Sequence, residues 1–160
     1  MRVATLTIST SKAADPGQDE GTAALADYVA SMDARLVGAE VIPDDRDLIS
    51  SRLTHWADGG AVDLILTSGG TGLAPGDVTP EATLAVMDRE APGIAEAMRL
   101  ASRPHTRYWM MSRGVAGLRG STLIINFPGN PRAIAQAGEP LRDVLRHAMA
   151  LLIDPAPGHE

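Results

Sequence analysis

Apolar positions along this chain fall into two alternating rhythms. Val3 to Ser9 is an almost unbroken apolar run and reads as a buried strand, whereas Gly21 to Met32 carries Leu25, Val29 and Met32 at helical spacing. The pair then recurs. Val37 to Ile42 predicts a second short strand, Asp45 to Trp56 a helix with Leu48, Ile49, Leu53 and Trp56 on one side, and Val62 to Thr67 a third strand without polar alternation. Helices follow over Pro80 to Arg89 and Gly93 to Ala101, Arg107 to Arg113 is ambiguous, and Ser121 to Phe127 is again a continuous apolar strand. A long helix opened by Asn130-Pro131 closes the pattern at about Ile153, and the tail from Asp154 to Glu160 is expected to fray. Near-continuous apolar strands separated by amphipathic helices predict an α/β fold of three layers, a mostly parallel sheet with helices on both faces.

The polar motifs sit at equivalent places in this rhythm. Ser9-Thr10-Ser11-Lys12 follows the first strand, Pro43-Asp44-Asp45 the second, Ser68-Gly69-Gly70-Thr71-Gly72 the third, and Pro128-Gly129-Asn130 the Ser121 to Phe127 strand. In a parallel sheet these four loops share one edge, the carboxyl edge at which open α/β sheets bind ligands. The segment Thr10 to Glu20 is expected to be a polar loop, and a candidate mobile flap over that edge.

The third of these loops carries the most chemistry. Apolar Leu64-Ile65-Leu66 runs into Ser68-Gly69-Gly70-Thr71-Gly72, then Asp77, then Thr79-Pro80, which reads as an N-cap followed by proline at the first helical position. Exposed backbone N–H groups in such a turn suit a phosphate, but a bare Asp77 carboxylate would repel one unless a metal ion or a proton intervenes. No Gly-Lys-Ser/Thr follows Gly72, so this is not a Walker A loop, and Gly70 to Pro75 lacks the last glycine of a dinucleotide-binding turn.

Composition narrows the classes. The 160 residues fit one domain with one core, 1–160, and no stretch approaches the roughly 18 apolar residues of a membrane span. The N-terminus enters a strand directly, without a signal-peptide pattern, so a soluble, cytoplasmic protein is expected. With no cysteine and four scattered histidines, thiolate chemistry is excluded and zinc is disfavoured. A net charge of −6, one lysine and 3% aromatic residues argue against a nucleic-acid groove. An anionic ligand would therefore rely on backbone N–H groups, a few arginines and a divalent cation.

Asp44 and Asp77 are the candidates for holding that cation, since two carboxylates at one crevice suit magnesium bridging phosphate oxygens. For Asp44 the alternative is a helix N-cap, a role that Asp45 or Asp47 serves equally well. Asn130 can cap the last helix or help receive an anion. Arg113 and Arg119 read by default as a solvated face, Met110 and Met111 beside Trp109 as core filler, and His105 as a loop residue.

The chain resembles the MogA and MoaB family of molybdenum cofactor biosynthesis proteins, to which the G domains of gephyrin and its plant counterpart are similar. The motifs are Ile42-Pro43-Asp44, the run TSGGTGLAPGDVTPEAT from Thr67 to Thr83, Pro92-Gly93 with Glu96-Ala97-Met98-Arg99, Ser112-Arg113, and GSTLIINFPGNP from Gly120 to Pro131. The resemblance implies a three-layer α/β fold, a homotrimer or hexamer, and a molybdopterin adenylyltransferase that converts ATP and molybdopterin to adenylylated molybdopterin and pyrophosphate with Mg2+. The alternative is a non-catalytic MoaB-type oligomer that binds pterin or nucleotide; an isolated CinA-like domain acting on other nucleotides is a third reading. By resemblance, Asp44 and Asp77 are the catalytic and metal-binding pair. Ser9, Ser68, Gly69, Gly70, Thr71, Gly72, Ser112, Pro128, Gly129 and Asn130 are then the binding residues, and other molybdenum cofactor biosynthesis proteins are candidate partners. This chain departs from the family in its first loop, where Ser9 is followed by Thr10 rather than aspartate, and at Ser121, where many relatives have lysine.

Overall fold

Among the described residues six strands form one sheet. The computed structural model describes residues 1–15 and 20–153. In chain order the elements are β1 (Arg2–Ile8), α1 (Thr10–Ala14), α2 (Glu20–Ser31), β2 (Arg35–Ile42), α3 (Arg46–Asp58), β3 (Leu64–Ser68), α4 (Thr79–Leu84), β4 (Arg89–Glu90), α5 (Pro92–Ser102), β5 (Ala116–Arg119), β6 (Thr122–Phe127), α6 (Pro131–Gly138) and α7 (Arg142–Ile153). The sheet order is β2-β1-β3-β6-β5-β4, in which β2, β1, β3 and β6 run parallel, while β5 and β4 are antiparallel to their neighbours.

Period-two alternation divides the strands between two cores. Val3, Leu64, Leu66, Leu123, Ile125 and Phe127 face a cluster completed by Leu25, Val29, Met98, Ile134 and Leu145 from α2, α5, α6 and α7. Ala4, Leu6, Ile8, Ile65 and Ile124 face the other way, against Ile49 and Leu53 of α3 and Ala82 of α4. The sheet is thus covered on both faces, which is why the polar positions of its central strands are threonines, Asn126 and the terminal Arg2 and Ser68.

Four expectations are corrected. The Thr10 to Glu20 segment is not a continuous loop: Thr10–Ala14 is helical because the Ser9 side chain caps it, accepting from the Lys12 N–H at 3.4 Å, and Glu20 already opens α2. Residues 16–19 of the candidate flap, and the tail 154–160, lie outside the described residues. α4 stops at Leu84 instead of Arg89, and the closing helix is broken between α6 and α7 by a 3-10 turn at Glu139–Leu141. Pro140 has no N–H to continue the ladder. Finally, Met110 and Met111 are 65% and 44% exposed, on a 3-10 turn at Trp109–Met111, and do not fill the core.

Candidate functional site

The carboxyl ends of the four parallel strands meet, as the loop pattern predicts. The Ser9 N–H donates to the Ile42 carbonyl at 2.9 Å and the Gly69 N–H to the Phe127 carbonyl at 3.3 Å, while the Ser68 hydroxyl donates to the Pro128 carbonyl at 3.1 Å. Glycine is needed where they meet. A Cβ on Gly69, whose φ is +104°, would lie 2.2 Å from the Ile8 carbonyl oxygen, and one on Gly129 would lie 3.2 Å from the Gly69 Cα. Gly70, at φ +62°, brings the chain within reach of both Thr79 and Asp44, since its Cβ would stand 2.3 Å from Thr79 Oγ1 and 3.3 Å from Asp44 Oδ1.

Asp44 does not cap a helix of its own. Asp45 does that, accepting from the Leu48 N–H at 2.9 Å. The Asp44 carboxylate instead crosses to the first loop: its Oδ2 accepts from the Thr10 N–H at 2.8 Å and the Thr10 hydroxyl at 2.9 Å, and the Thr10 Oγ1 accepts from the Asp44 N–H at 3.1 Å. Asp77 folds back over its own turn, its Oδ2 accepting from the Ala74 N–H at 2.9 Å. In both aspartates Oδ1 is left without a hydrogen bond to any described residue.

Between these two carboxylates runs the glycine-rich turn. The N–H groups of Gly70, Thr71, Gly72 and Leu73 bond to no described residue, and two adjacent glycines in the left-handed region begin the segment. Consecutive unpaired N–H groups of this kind form a concave anion receptor. Thr79 is not the N-cap of α4. Val78 holds that position without a side-chain bond, and the Thr79 hydroxyl donates backwards to the Gly69 carbonyl at 2.9 Å, supporting the turn from behind. The support continues into the core, where the Thr83 hydroxyl donates to the Thr79 carbonyl at 2.8 Å and the Asn126 amide donates to Thr83 and Thr67 hydroxyls, each at 3.0 Å. Sequence reasoning missed Thr79, Thr83 and Asn126 in this role; for Asn126, a polar residue inside the apolar run of β6 was the available signal.

A second feature adjoins the turn. An apolar cleft of about 110 Å³ lies between α5 and α6, walled by Met98, Tyr108, Trp109, Ser112, Pro128 and Gln136. Ser112 and Pro128 thus face this cleft, whereas Ser9, Asp44, Ser68, Gly69, Gly70, Thr71, Gly72, Asp77 and Gly129 gather at the strand ends. Asn130 joins neither: it is exposed and caps α6, its Oδ1 accepting from the Arg132 N–H at 3.0 Å. Among the described residues there is no cluster of three or more acidic or histidine side chains able to enclose a metal, and no helix is long and apolar enough to cross a membrane.

A family model described as a "probable molybdopterin binding domain" matches residues 4–147. The chain belongs to that family. Within the molybdopterin-binding family, it is 38% identical over 145 residues to the molybdopterin adenylyltransferase of Escherichia coli K12, covering 89% of this chain and 74% of that one. It is also 37% identical over 150 residues to the Drosophila melanogaster molybdenum cofactor synthesis protein cinnamon, spanning 93% of this chain but only a quarter (25%) of the fly protein. Among solved structures, the molybdopterin biosynthesis enzyme MoaB from Thermus thermophilus superposes with a TM-score of 0.88 at 44% identity, covering 94% of this chain and 95% of that one. The three-layer α/β architecture is therefore the family's.

Proposed function

We propose that this chain is a molybdopterin adenylyltransferase, which transfers AMP from ATP to the terminal phosphate of molybdopterin and releases pyrophosphate. The observation that carries this reading is the adjacency of two receptors: a run of four unpaired N–H groups flanked by Asp44 and Asp77, and an apolar cleft beside it. The first suits the phosphates of ATP. The second, with the Trp109 ring and polar groups on Ser112 and Gln136, suits a flat heterocycle that has a hydrogen-bonding edge.

The reaction needs positioning more than covalent chemistry. A molybdopterin phosphate oxygen attacks the α-phosphorus, a new P–O bond forms opposite the one that breaks, and pyrophosphate leaves with the electron pair. The backbone receptor holds the phosphate chain in line, while Ser9, Ser68 and the glycines Gly69, Gly70, Gly72 and Gly129 keep the strand ends closely apposed beneath it.

The residues present fit a magnesium ion. Asp44 and Asp77 each keep one oxygen free while the other is fixed by N–H donors, and Mg2+ is commonly held by one or two carboxylates, with phosphate oxygens and water completing the shell. When bound, the ion supplies charge neutralisation on the phosphate oxygens. A homotrimer or hexamer, working in the cytoplasm with other proteins of molybdenum cofactor biosynthesis, completes the proposal.

The test is formation of adenylylated molybdopterin by the purified protein with ATP, Mg2+ and molybdopterin. Wild type is expected to make product. Asp77→Asn is expected to lower turnover by a factor on the order of 10² or more while still binding ATP, because the backbone receptor is intact. Pterin binding without product from the wild type would favour the non-catalytic oligomer, and equal rates in both proteins would remove Asp77 from the reaction.

A further inference from the structure

Arg113 is the residue that the sequence most undervalues. Its backbone N–H donates to the Thr71 carbonyl at 2.9 Å, its Nε to the Gly72 carbonyl at 2.6 Å, and its two terminal nitrogens to the Asp77 carbonyl and the Glu81 carboxylate. One side chain thereby spans both legs of the turn and the first turn of α4. Between Gly72 and Asp77 the residues Leu73 to Gly76 are all exposed, so no packing from the core holds this stretch in place. What fixes it is the guanidinium, together with the Asp77 carboxylate folded onto the Ala74 N–H and the backbone bond from the Asp77 N–H to the Ala74 carbonyl at 2.9 Å.

The chemistry of the side chain matters. Three acceptors lie in three directions around one planar group, and a guanidinium offers rigidly directed donors where an ammonium is a flexible point charge. The ion pair is reinforced in return, since the hydrogen bond from Arg113 holds the Glu81 carboxyl below the usual range. Ser112 and Gly114, on either side of Arg113, both line the apolar cleft. Arg113 therefore stands in the wall shared by the cleft and the turn.

We propose that Arg113, locked by Glu81, is a positioning residue that holds the Gly72–Asp77 turn, and with it the Asp77 carboxylate, in the conformation that receives the phosphate chain. Its catalytic consequence rests on the adenylyltransferase reading; its structural consequence does not. Two measurements on wild type, Arg113→Lys and Glu81→Gln keep the two apart.

The first is amide hydrogen exchange. In Arg113→Lys, exchange of the Ala74 and Asp77 amides, the two in this turn that are hydrogen-bonded, is expected to quicken at least tenfold while the core strands keep their protection, with Glu81→Gln intermediate. Unchanged exchange in that turn, or a uniform loss of protection throughout the molecule, would overturn the proposal. The second is steady-state kinetics. Arg113→Lys is expected to lower kcat about 30-fold or more with the KM for molybdopterin within threefold of wild type, whereas an unchanged kcat would refute the catalytic consequence. If the wild type makes no product, the adenylyltransferase reading fails, and the exchange experiment still decides what Arg113 does.

Discussion

A single missing methyl group decides how closely the strand ends can approach. At Gly69 a Cβ would lie 2.2 Å from the Ile8 carbonyl oxygen, a backbone atom that cannot swing aside, and φ is +104°. Gly69→Ala is expected to cost about 3 kcal/mol or more through strain and enforced separation of β1 from β3. Gly76, in the same motif, faces open space with no positive φ, so Gly76→Ala is expected to leave stability within about 0.5 kcal/mol of wild type. Parallel urea denaturation of the two variants checks both values. The sequence displays these glycines identically, because contacts with a strand some sixty residues away are not encoded in local spacing. Asp44 was similarly legible as a candidate but not as a partner of Thr10, since that pairing depends on β1 and β2 being neighbours.

At the scale of elements, what the sequence disclosed depended on burial. The four parallel strands and α2, α3 and α5 lie close to where the apolar pattern puts them. β4 and β5 have two and four residues, too short for a period, and were not legible. The break between α6 and α7 involves a tertiary contact, because the Tyr28 hydroxyl donates to the Gly138 carbonyl at 2.8 Å and its ring occupies the space a Gly138 Cβ would need. The join between β6, β3 and α4 depends on Asn126, whose amide donates to Thr67 and Thr83 and whose Oδ1 accepts from the Val115 N–H at 3.3 Å. Asn126→Ala strands several buried partners at once, and a loss of about 2–4 kcal/mol is expected in thermal or urea unfolding. A loss below about 1 kcal/mol would mean that water replaces the amide.

Across the whole molecule, the edge opposite the candidate site is fastened by charge. Asp63, immediately before β3, accepts from the Arg2 backbone N–H and the Arg2 guanidinium, each at 2.6 Å, and the Arg2 hydrogen bonds hold its carboxyl below the usual range against the opposing effect of burial. Because the folded state lowers this value, the stabilisation is complete above the unfolded carboxylate range near pH 4 and disappears as pH falls through the folded value. Asp63→Asn is therefore expected to be less stable than wild type at pH 7, and the gap should close on acidification below about pH 4, as followed by unfolding midpoints across pH. The candidate site is braced differently. Behind the glycine turn stand Asn126, Thr83 and Thr79, none of which ionises in the ordinary pH range. The inner scaffold of the turn is accordingly deaf to protons, so an acid limb in a rate profile would report on the substrates or on Glu81 at its outer face, whose carboxyl the Arg113 hydrogen bond holds below the usual range.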